Sequence, residues 1–285
     1  MRLISYQDAA GPRTAAVKND KCFDLNRADQ KLPTCIKTLL GQGPEALERA
    51  EQAPAAGEPL SLEQIKLLPP VPNPEKIICV GLNYADHAKE TGVEPPGEPV
   101  VFNKFPTAVA GQWQPIILPK LSRQVDYEAE LVVVIGAGGR NIPEQRAREH
   151  IAGYCCGNDI SARDWQLHKP GGQWLLGKSF DSFAPVGPAL VTADEVPNPG
   201  NLRIQLRLNG RVMQDSNTSQ LIFSIEKLIA YISAVCTLSP GDLIFTGTPP
   251  GVGMARKPPV RLQGGDSLEV EIGRLGVLRN PVVAQ

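Results

Sequence analysis

Four prolines within six residues divide this chain after about its first quarter. They lie between Pro69 and Pro74 and follow a pair of leucines. Proline fixes φ and has no backbone N–H, so such a run neither continues a helix nor pairs in the centre of a sheet. The sequence therefore predicts a stiff connector that separates a small N-terminal domain, residues 1–70, from a larger domain, residues 75–285.

The composition argues against several classes of partner. The 285 residues are 42% hydrophobic and 21% charged, with a formal net charge of -1, so no basic surface is predicted that would attract nucleic acid or a membrane. No run of about 18 apolar residues is present, and the first residues lack the apolar core of a signal peptide. Six cysteines without a CxxC pair are typical of reduced thiols. We expect a cytoplasmic protein with no membrane or nucleic-acid partner.

The hydrophobic pattern favours short strands over helices. Residues 77–80 and 131–135 are apolar runs of strand length. Apolar residues alternate with polar ones from Leu202 to Leu208 and end at Asn209-Gly210, which predicts a hairpin with a type I′ turn. An amphipathic helix is expected after Ser224. Because regular βαβ alternation is missing, the predicted fold class is α+β, mainly β.

Two glutamates stand at the entrance of one of these apolar strands. Glu128 and Glu130 precede Leu131, and side chains at positions i and i+2 of a strand share a face. Two partly buried carboxylates repel each other, and a divalent cation relieves that repulsion. Oxygen ligands suit magnesium, manganese or calcium better than zinc. The alternative is a solvated strand end.

Two further groups of polar residues follow apolar strands. Asp159 lies three residues after the end of the run 151–156, where it is either a metal ligand or the N-cap of a short helical turn. His87 and Glu90 come after the run 77–80 and are neighbours if the segment is helical. A carboxylate that orients an imidazole makes a general base able to activate water. The alternative is an incidental pair on a surface helix.

Lys178 lies within an apolar and aromatic run, and a buried lysine needs a partner. Three carboxylates around one divalent ion leave a charge of minus one, which one lysine would neutralise. A competing interpretation concerns Gly136-Ala137-Gly138-Gly139, which follows a strand as the glycines of a dinucleotide site do. Asn141 occupies the sixth position of that pattern, where glycine is required, so we give this interpretation little weight.

Six segments together resemble the fumarylacetoacetate hydrolase superfamily. They read GLNYADHAKE, VVFNKF, VDYEAELVVVIG, GNDISARDWQ, GKSFD and TGTPPGVG, and they occur in the order of that family from about residue 75 to residue 283. The stretch GGQWLLGKSFDSFAPVGPALV is most similar to the subgroup of fumarylacetoacetate hydrolase domain-containing protein 2 and the bacterial diketo-acid hydrolases. The first 70 residues resemble the small variable domain of the longer members.

The resemblance implies a mixed β-sandwich roll with a small N-terminal α+β domain, in a homodimer that binds one Mg²⁺ or Mn²⁺ per chain. By motif, the metal ligands are Glu128, Glu130 and Asp159, and the catalytic residues are His87 and Glu90, on a short lid helix, and Lys178. Gln166, Thr248 and Lys104 correspond to substrate-binding positions. Some members carry arginine where Leu82 stands here, so one anion contact is expected to be missing.

This resemblance implies an enzyme that acts on a small 2-oxo acid. Our first hypothesis is metal-dependent hydrolysis of a C–C bond in a 2,4-dioxo, acylpyruvate-type acid, which releases pyruvate or a related 2-oxo acid. His87, held by Glu90, would deprotonate the attacking water. The alternatives are an oxaloacetate tautomerase or decarboxylase, and an isomerase or hydratase of aromatic catabolism. A non-enzymatic binding protein is disfavoured, because His87, Glu90, Lys178 and the three acidic residues are all present.

Overall fold

The computed structural model describes residues 1–19, 21–62, 65–92 and 94–285. The fold is α+β and mainly β, as the hydrophobic pattern predicts. Its strands are β1 Arg2–Asp8, β2 Gly11–Lys18, β3 Lys21–Asp24, β4 Pro59–Leu60, β5 Lys66–Leu68, β6 Ile77–Gly81, β7 Val100–Lys104, β8 Val109–Ala110, β9 Ile116–Leu118, β10 Val125–Asp126, β11 Ala129–Ile135, β12 Ile151–Asn158, β13 Ser161–Ala162, β14 Ala184–Thr192, β15 Arg203–Leu208, β16 Arg211–Asn217, β17 Leu243–Phe245, β18 Ser267–Ile272 and β19 Gly276–Ala284. The α-helices are α1 Leu25–Ala28, α2 Ile36–Gly41, α3 Pro44–Gln52, α4 Ala85–Thr91, α5 Arg163–His168, α6 Trp174–Lys178 and α7 Ile225–Val235.

Among the described residues, twelve strands form one large sheet in the order β4-β3-β2-β1-β14-β12-β11-β17-β6-β7, with β5 paired to β1 and β8 to β14. A second sheet has the order β16-β15-β18-β19-β9, and β10 pairs with β13. An apolar core that includes Leu131, Val133, Leu206 and Val270 contains residues of both larger sheets, so the two sheets pack face to face.

The local signals in the sequence correspond to observed elements. Asn209 and Gly210 have φ of 53° and 78°, as a type I′ turn between β15 and β16 requires. The Ser224 side chain accepts a hydrogen bond from the Lys227 N–H and caps α7, whose apolar face is buried. No described helix has both the length and the apolar character of a membrane span.

The N-terminal segment joins the sheet of the larger segment instead of standing apart from it. β1 pairs antiparallel with β14, with Leu3 opposite Leu190. One core cluster contains Leu25 and Ile36 of the first segment together with Val132 and Phe245 of the second. The proline-rich connector therefore joins two segments that share one sheet and one core cluster.

Candidate metal centre and active site

The register between β11 and β12 brings the three predicted metal ligands together. Ala129 lies opposite Asn158, so Glu128, one residue before β11, is next to Asp159, one residue after β12. The Asp159 N–H donates to the Glu128 carbonyl at 2.8 Å. Glu130 is two residues further along β11, on the same face as Glu128. The carboxylates of Glu128, Glu130 and Asp159 are buried, and one oxygen from each lies within 4.8 Å of the others.

Two of these carboxylates share a lysine. Lys178 Nζ donates to Glu128 Oε2 and to Asp159 Oδ2, each at 2.9 Å, and its side chain is almost fully buried. Burial alone would lower the pKa of Lys178, but the carboxylates of Asp159 and Glu128 raise it above its usual range. Lys178 is therefore a cation fixed against the acidic group, as its place in an apolar run predicts.

Arg163, from the motif GNDISARDWQ, is a further member of the site. Its guanidinium donates to Glu128 Oε1 at 2.6 Å, to Asp126 Oδ2 and to Gln166 Oε1. Burial opposes ionisation of Glu128, but Lys178 and Arg163 outweigh it and lower the pKa of this carboxyl to about 2. Arg163 stands in the mostly polar stretch GNDISARDWQ, so the local sequence contains no signal that it is the partner of a buried carboxylate.

Glu130 is the carboxylate with the least compensation. Its one hydrogen bond among the described residues comes from the Gly247 N–H to Oε2, at 2.7 Å. Burial, Asp159 and Glu128 together raise its pKa well above the usual range. A divalent ion shared with Glu128 and Asp159 would remove this conflict, so the three residues fit a hard cation such as Mg²⁺ or Mn²⁺.

A cavity of about 490 Å³ opens onto this acidic group. Seven of the nine predicted site residues line it: His87, Glu90, Glu128, Glu130, Gln166, Lys178 and Thr248. Asp159 and Lys104 are buried behind that wall. The cavity therefore brings a predicted proton-transfer group, His87, and predicted substrate-binding groups to the same side of the acidic residues.

Lys104 does not line the cavity but contacts the buried carboxylate of Asp159. Its Nζ lies 2.6 Å from Asp159 Oδ1 and donates to the carbonyls of Ile160 and Phe183 at 3.0 and 2.7 Å. Burial lowers its pKa, although Asp159 acts in the opposite direction. The substrate-binding role that we expected for Lys104 has no support in this position. Lys104 instead ties Asp159 to the segments that carry Lys178 and Phe183.

Two polar groups on the cavity wall are oriented by their neighbours. Arg163 can only donate, so the bond it makes to Gln166 Oε1 at 2.9 Å leaves the amide N–H groups of Gln166 for the cavity. The Nε2 of Gln214 donates to Thr248 Oγ1 at 2.9 Å, so the Thr248 hydroxyl is left to donate as well. Both groups thereby favour acceptor oxygens, such as those of a carboxylate or an enolate.

Helix α4 carries His87 and Glu90 over the cavity. His87 Nδ1 lies 3.1 Å from Glu90 Oε2, and the Glu90 carboxylate also accepts from the Gly251 N–H at 3.0 Å. Ser216 Oγ donates to Asp86 Oδ2 at 2.5 Å. The pair therefore lies on a short helix, as the family resemblance implies, and these contacts tie α4 to other parts of the chain.

Comparison with known proteins places these features in a family. The model for the fumarylacetoacetate (FAA) hydrolase C-terminal domain matches residues 76–283. The chain is 49% identical, over 99% of its length and 90% of the relative, to "Oxaloacetate tautomerase fahd2, mitochondrial" of Xenopus laevis. Fumarylacetoacetate hydrolase from Exiguobacterium antarcticum has a TM-score of 0.88 and 34% identity, with 100% of both chains covered.

A further solved structure bears on the metal. Maleylpyruvate hydrolase from Sphingobium sp. SYK-6, in complex with manganese (II) ion and pyruvate, has a TM-score of 0.84 and 32% identity, and the match covers 100% of this chain and 99% of that one. The prediction of a cytoplasmic protein is wrong by these comparisons, because relatives from Xenopus laevis, Bos taurus and Homo sapiens are named as mitochondrial.

The dinucleotide interpretation is not supported, since residues 136–139 lie outside the cavity lining and the chain matches the hydrolase family along the whole larger segment. This chain is an enzyme of the fumarylacetoacetate hydrolase superfamily and belongs to its subgroup of domain-containing protein 2.

Proposed function

We propose that this enzyme interconverts the keto and enol forms of oxaloacetate at a site that depends on Mg²⁺ or Mn²⁺. The observation that carries the proposal is the position of Lys178, 2.9 Å from both Glu128 and Asp159 at the wall of the cavity. A fixed cation beside a metal-binding group is the arrangement that stabilises a developing enolate. The names of relatives such as the Homo sapiens protein, an oxaloacetate tautomerase at 49% identity, support the choice of substrate.

The balance of charge around the site suits an anionic substrate. The buried group has four carboxylates, those of Asp126, Glu128, Glu130 and Asp159, against three cations, Lys104, Arg163 and Lys178. Its net charge is minus one when all seven are ionised, and a divalent ion held by the three ligands changes that to plus one. Lewis acidity toward the 2-oxo carbonyl is the chemistry that such an ion supplies when bound.

Residues on the cavity wall would orient the substrate. The Gln166 amide and the Thr248 hydroxyl present donors, since their acceptor oxygens are already bound to Arg163 and Gln214. They are suited to the carboxylate and the C2 oxygen of a 2-oxo acid. Lys178 adds positive charge where negative charge develops on that oxygen, and its burial makes this contribution larger than it would be in water.

Proton transfer is assigned to His87. Glu90 holds its Nδ1 at 3.1 Å and is itself fixed by the Gly251 N–H, so the ring has a defined orientation over the cavity. His87 can then accept the C3 proton of the keto acid at Nε2, and the protonated ring delivers a proton to the C2 oxygen, so that it returns to its starting state; the reverse reaction follows the same steps backwards. The net change is the transfer of one proton from C3 to the C2 oxygen.

C–C hydrolysis of a 2,4-dioxo acid, our first hypothesis from the sequence, is the second candidate. The same His87–Glu90 pair is the observation that favours it, because a base oriented by a carboxylate can also activate water. The similarity to maleylpyruvate hydrolase points in the same direction. Both candidates share the enolate-stabilising group and differ in whether a water molecule attacks the C4 carbonyl.

One experiment separates the candidates. The protein is treated with EDTA and reloaded with Mg²⁺ or Mn²⁺, and the ultraviolet absorbance of enol-oxaloacetate is followed, while release of pyruvate from a panel of acylpyruvates is measured in parallel. We expect metal-dependent tautomerisation that is lost in His87→Asn and retained in His150→Asn, a control outside the cavity. Tautomerisation no faster than in buffer would refute the proposal, and acylpyruvate cleavage alone would establish the second candidate.

A further inference from the structure

The cavity is larger and more apolar than a four-carbon acid requires. Oxaloacetate has nine non-hydrogen atoms, whereas a cavity of about 490 Å³ is within the range that holds drug-sized ligands. Its polar lining includes the carboxylates of Glu128 and Glu130 together with Lys178 and Gln166. The remaining wall is formed mainly by apolar side chains: Val80, Leu82, Phe102, Leu167, Trp174, Val252 and Met254.

Two aromatic side chains of the cavity lining, Phe102 and Trp174, pack against each other next to Lys178. The rings of Phe102 and Trp174 meet edge to face with centroids 5.4 Å apart, and the Lys178 Nζ lies 5.1 Å from the centroid of Phe102. A Cβ placed on Gly81 would lie 3.3 Å from Trp174 Cζ3, so the indole packs directly over that glycine. The apolar wall thus begins immediately beside the cation assigned to the enolate.

The cations of the wall are already engaged by carboxylates. Of the described residues that line the cavity, Arg163 and Lys178 carry the lysine or arginine charges, and each lies 2.6 to 2.9 Å from Glu128. A second carboxylate that extended toward Leu82 and Trp174 would lose hydration without a fixed cation in return. An alkyl or aryl group placed there would instead gain from burial against apolar side chains.

We infer that the cavity also accepts 2-oxo acids with an apolar group, aryl or branched alkyl, on C3 and interconverts their keto and enol forms. The inference rests on the proposed function, because it uses the same polar end for the 2-oxo acid and the same base. The C3–H bond breaks, its electron pair forms the C2–C3 double bond, and the C2 oxygen gains one proton. The reaction is an isomerisation and needs no further reactant.

The test compares phenylpyruvate with oxaloacetate on the full-length, Mg²⁺-loaded protein, by the enol absorbance of each acid. Two variants alter the apolar end. Trp174→Ala removes its largest side chain, and Leu82→Arg places a cation there at a residue whose φ is already 53°. We expect wild type to act on phenylpyruvate, and each variant to lower the kcat/KM for phenylpyruvate relative to oxaloacetate by about tenfold or more. Leu176→Ala, on the same helix as Trp174 but outside the cavity lining, should leave this ratio unchanged.

The outcomes separate this inference from the proposed function. Turnover of oxaloacetate without turnover of phenylpyruvate would overturn the inference and leave the proposed function standing. Turnover of phenylpyruvate alone would support the inference and remove oxaloacetate as the substrate, and failure with both acids would overturn both. An unchanged ratio in Leu82→Arg, with circular dichroism and metal retention as in wild type, would overturn the assignment of the apolar end.

Discussion

Glu130 differs from the two carboxylates beside it in what compensates its charge. Glu128 contacts Lys178 and Arg163, and Asp159 contacts Lys178 and Lys104, whereas Glu130 accepts one backbone hydrogen bond among the described residues. A buried carboxylate without a cationic partner destabilises the folded chain. Glu130 is therefore the proposed ligand whose burial is accounted for by metal binding and not by a contribution to stability.

Glu130→Gln is expected to stabilise the metal-free protein while abolishing its response to metal. In EDTA the variant should unfold with a free energy about 1–3 kcal/mol larger than wild type, since a poorly compensated charge is removed and the volume is kept. Added Mg²⁺ should raise the thermal midpoint of wild type and not that of the variant. Scanning calorimetry in EDTA and in Mg²⁺ measures both effects.

The matched substitution Glu128→Gln should change stability in the opposite direction. It removes the charge that Lys178 and Arg163 share, so the metal-free variant is expected to be less stable than wild type by about 2–4 kcal/mol. Glu94→Gln, at an exposed position, is the control and should change neither property. Destabilisation of the EDTA-treated protein by both buried substitutions would contradict this account of Glu130.

Sequence reasoning found the three acidic residues and Lys178, but not the contacts that Arg163 and Lys104 make with them. Glu128, Glu130 and Asp159 stand at the ends of apolar strands, where the pattern of the chain makes them conspicuous. Arg163 and Lys104 have no such local mark, since their partners are 35 and 55 residues away in the chain. Their roles depend on which strands pair and in what register, and one sequence does not determine that.

At the scale of elements, one carboxylate joins the first three strands. Asp24, at the end of β3, accepts from the Tyr6 hydroxyl of β1 at 2.6 Å, from Arg13 of β2 and from the Arg27 N–H of α1. Burial opposes its ionisation, but Arg13, Tyr6 and the Arg27 N–H outweigh burial and lower the pKa of Asp24. Asp24 thus fixes the N-terminal sheet and caps the helix that follows it.

Asp24→Asn should lower the free energy of unfolding by about 2–4 kcal/mol at pH 7, because Arg13 is left without its charged partner. The lowered folded-state pKa means that the stabilisation is complete above about pH 4, the unfolded value, and is lost as pH falls through the folded value. Urea unfolding of wild type and variant from pH 7 to pH 3 measures this, with the exposed Asp181→Asn as control. A difference in unfolding free energy between wild type and Asp24→Asn that grew toward pH 3 would contradict this account of Asp24.

Two described side-chain contacts tie helix α4 to other elements. The Asp86–Ser216 hydrogen bond of 2.5 Å ties its first turn to β16, and the Glu90–Gly251 contact of 3.0 Å ties its last. Ser216→Ala removes the first contact, so we expect faster amide exchange in α4 and a fall in kcat/KM of a few-fold, with bound metal unchanged. Ser219→Ala, whose hydroxyl has no such partner among the described residues, is the control. Unchanged exchange in Ser216→Ala would show that the contact does not hold the helix.

Elements with a strong local pattern were predictable and the irregular ones were not. The β15–β16 hairpin follows from Asn209-Gly210, and α7 follows from its apolar face and Ser224. The short helix α6, by contrast, has no capping side chain and is held through contacts with α5 and β7, so its sequence gives little indication of it. That helix carries both Trp174 and Lys178, and for this reason the shape of the cavity was beyond sequence reasoning.

On the scale of the whole molecule, the proposed division at residue 70 separates two segments along the chain, but we expect these segments to unfold cooperatively. Leu3 is fully buried, belongs to β1 and pairs with Leu190 of β14 in the sheet that also contains β11 and β12. The strands that position the proposed metal ligands are thereby hydrogen-bonded, through β14, to the N-terminal segment. Two segments that share one sheet and one core cluster are expected to unfold together.

Thermal unfolding of the full chain should accordingly be a single transition, with calorimetric and van't Hoff enthalpies that agree. Leu3→Ala should lower the stability of the whole chain by about 2–5 kcal/mol, so that loss of bound metal, loss of near-ultraviolet circular dichroism and loss of activity move to a lower temperature together. Leu121→Ala, at a leucine that is 70% exposed, serves as the control. If the N-terminal segment were an independent domain, Leu3→Ala would shift only an early partial transition, and the metal centre, built on β11 and β12, would melt at the wild-type temperature.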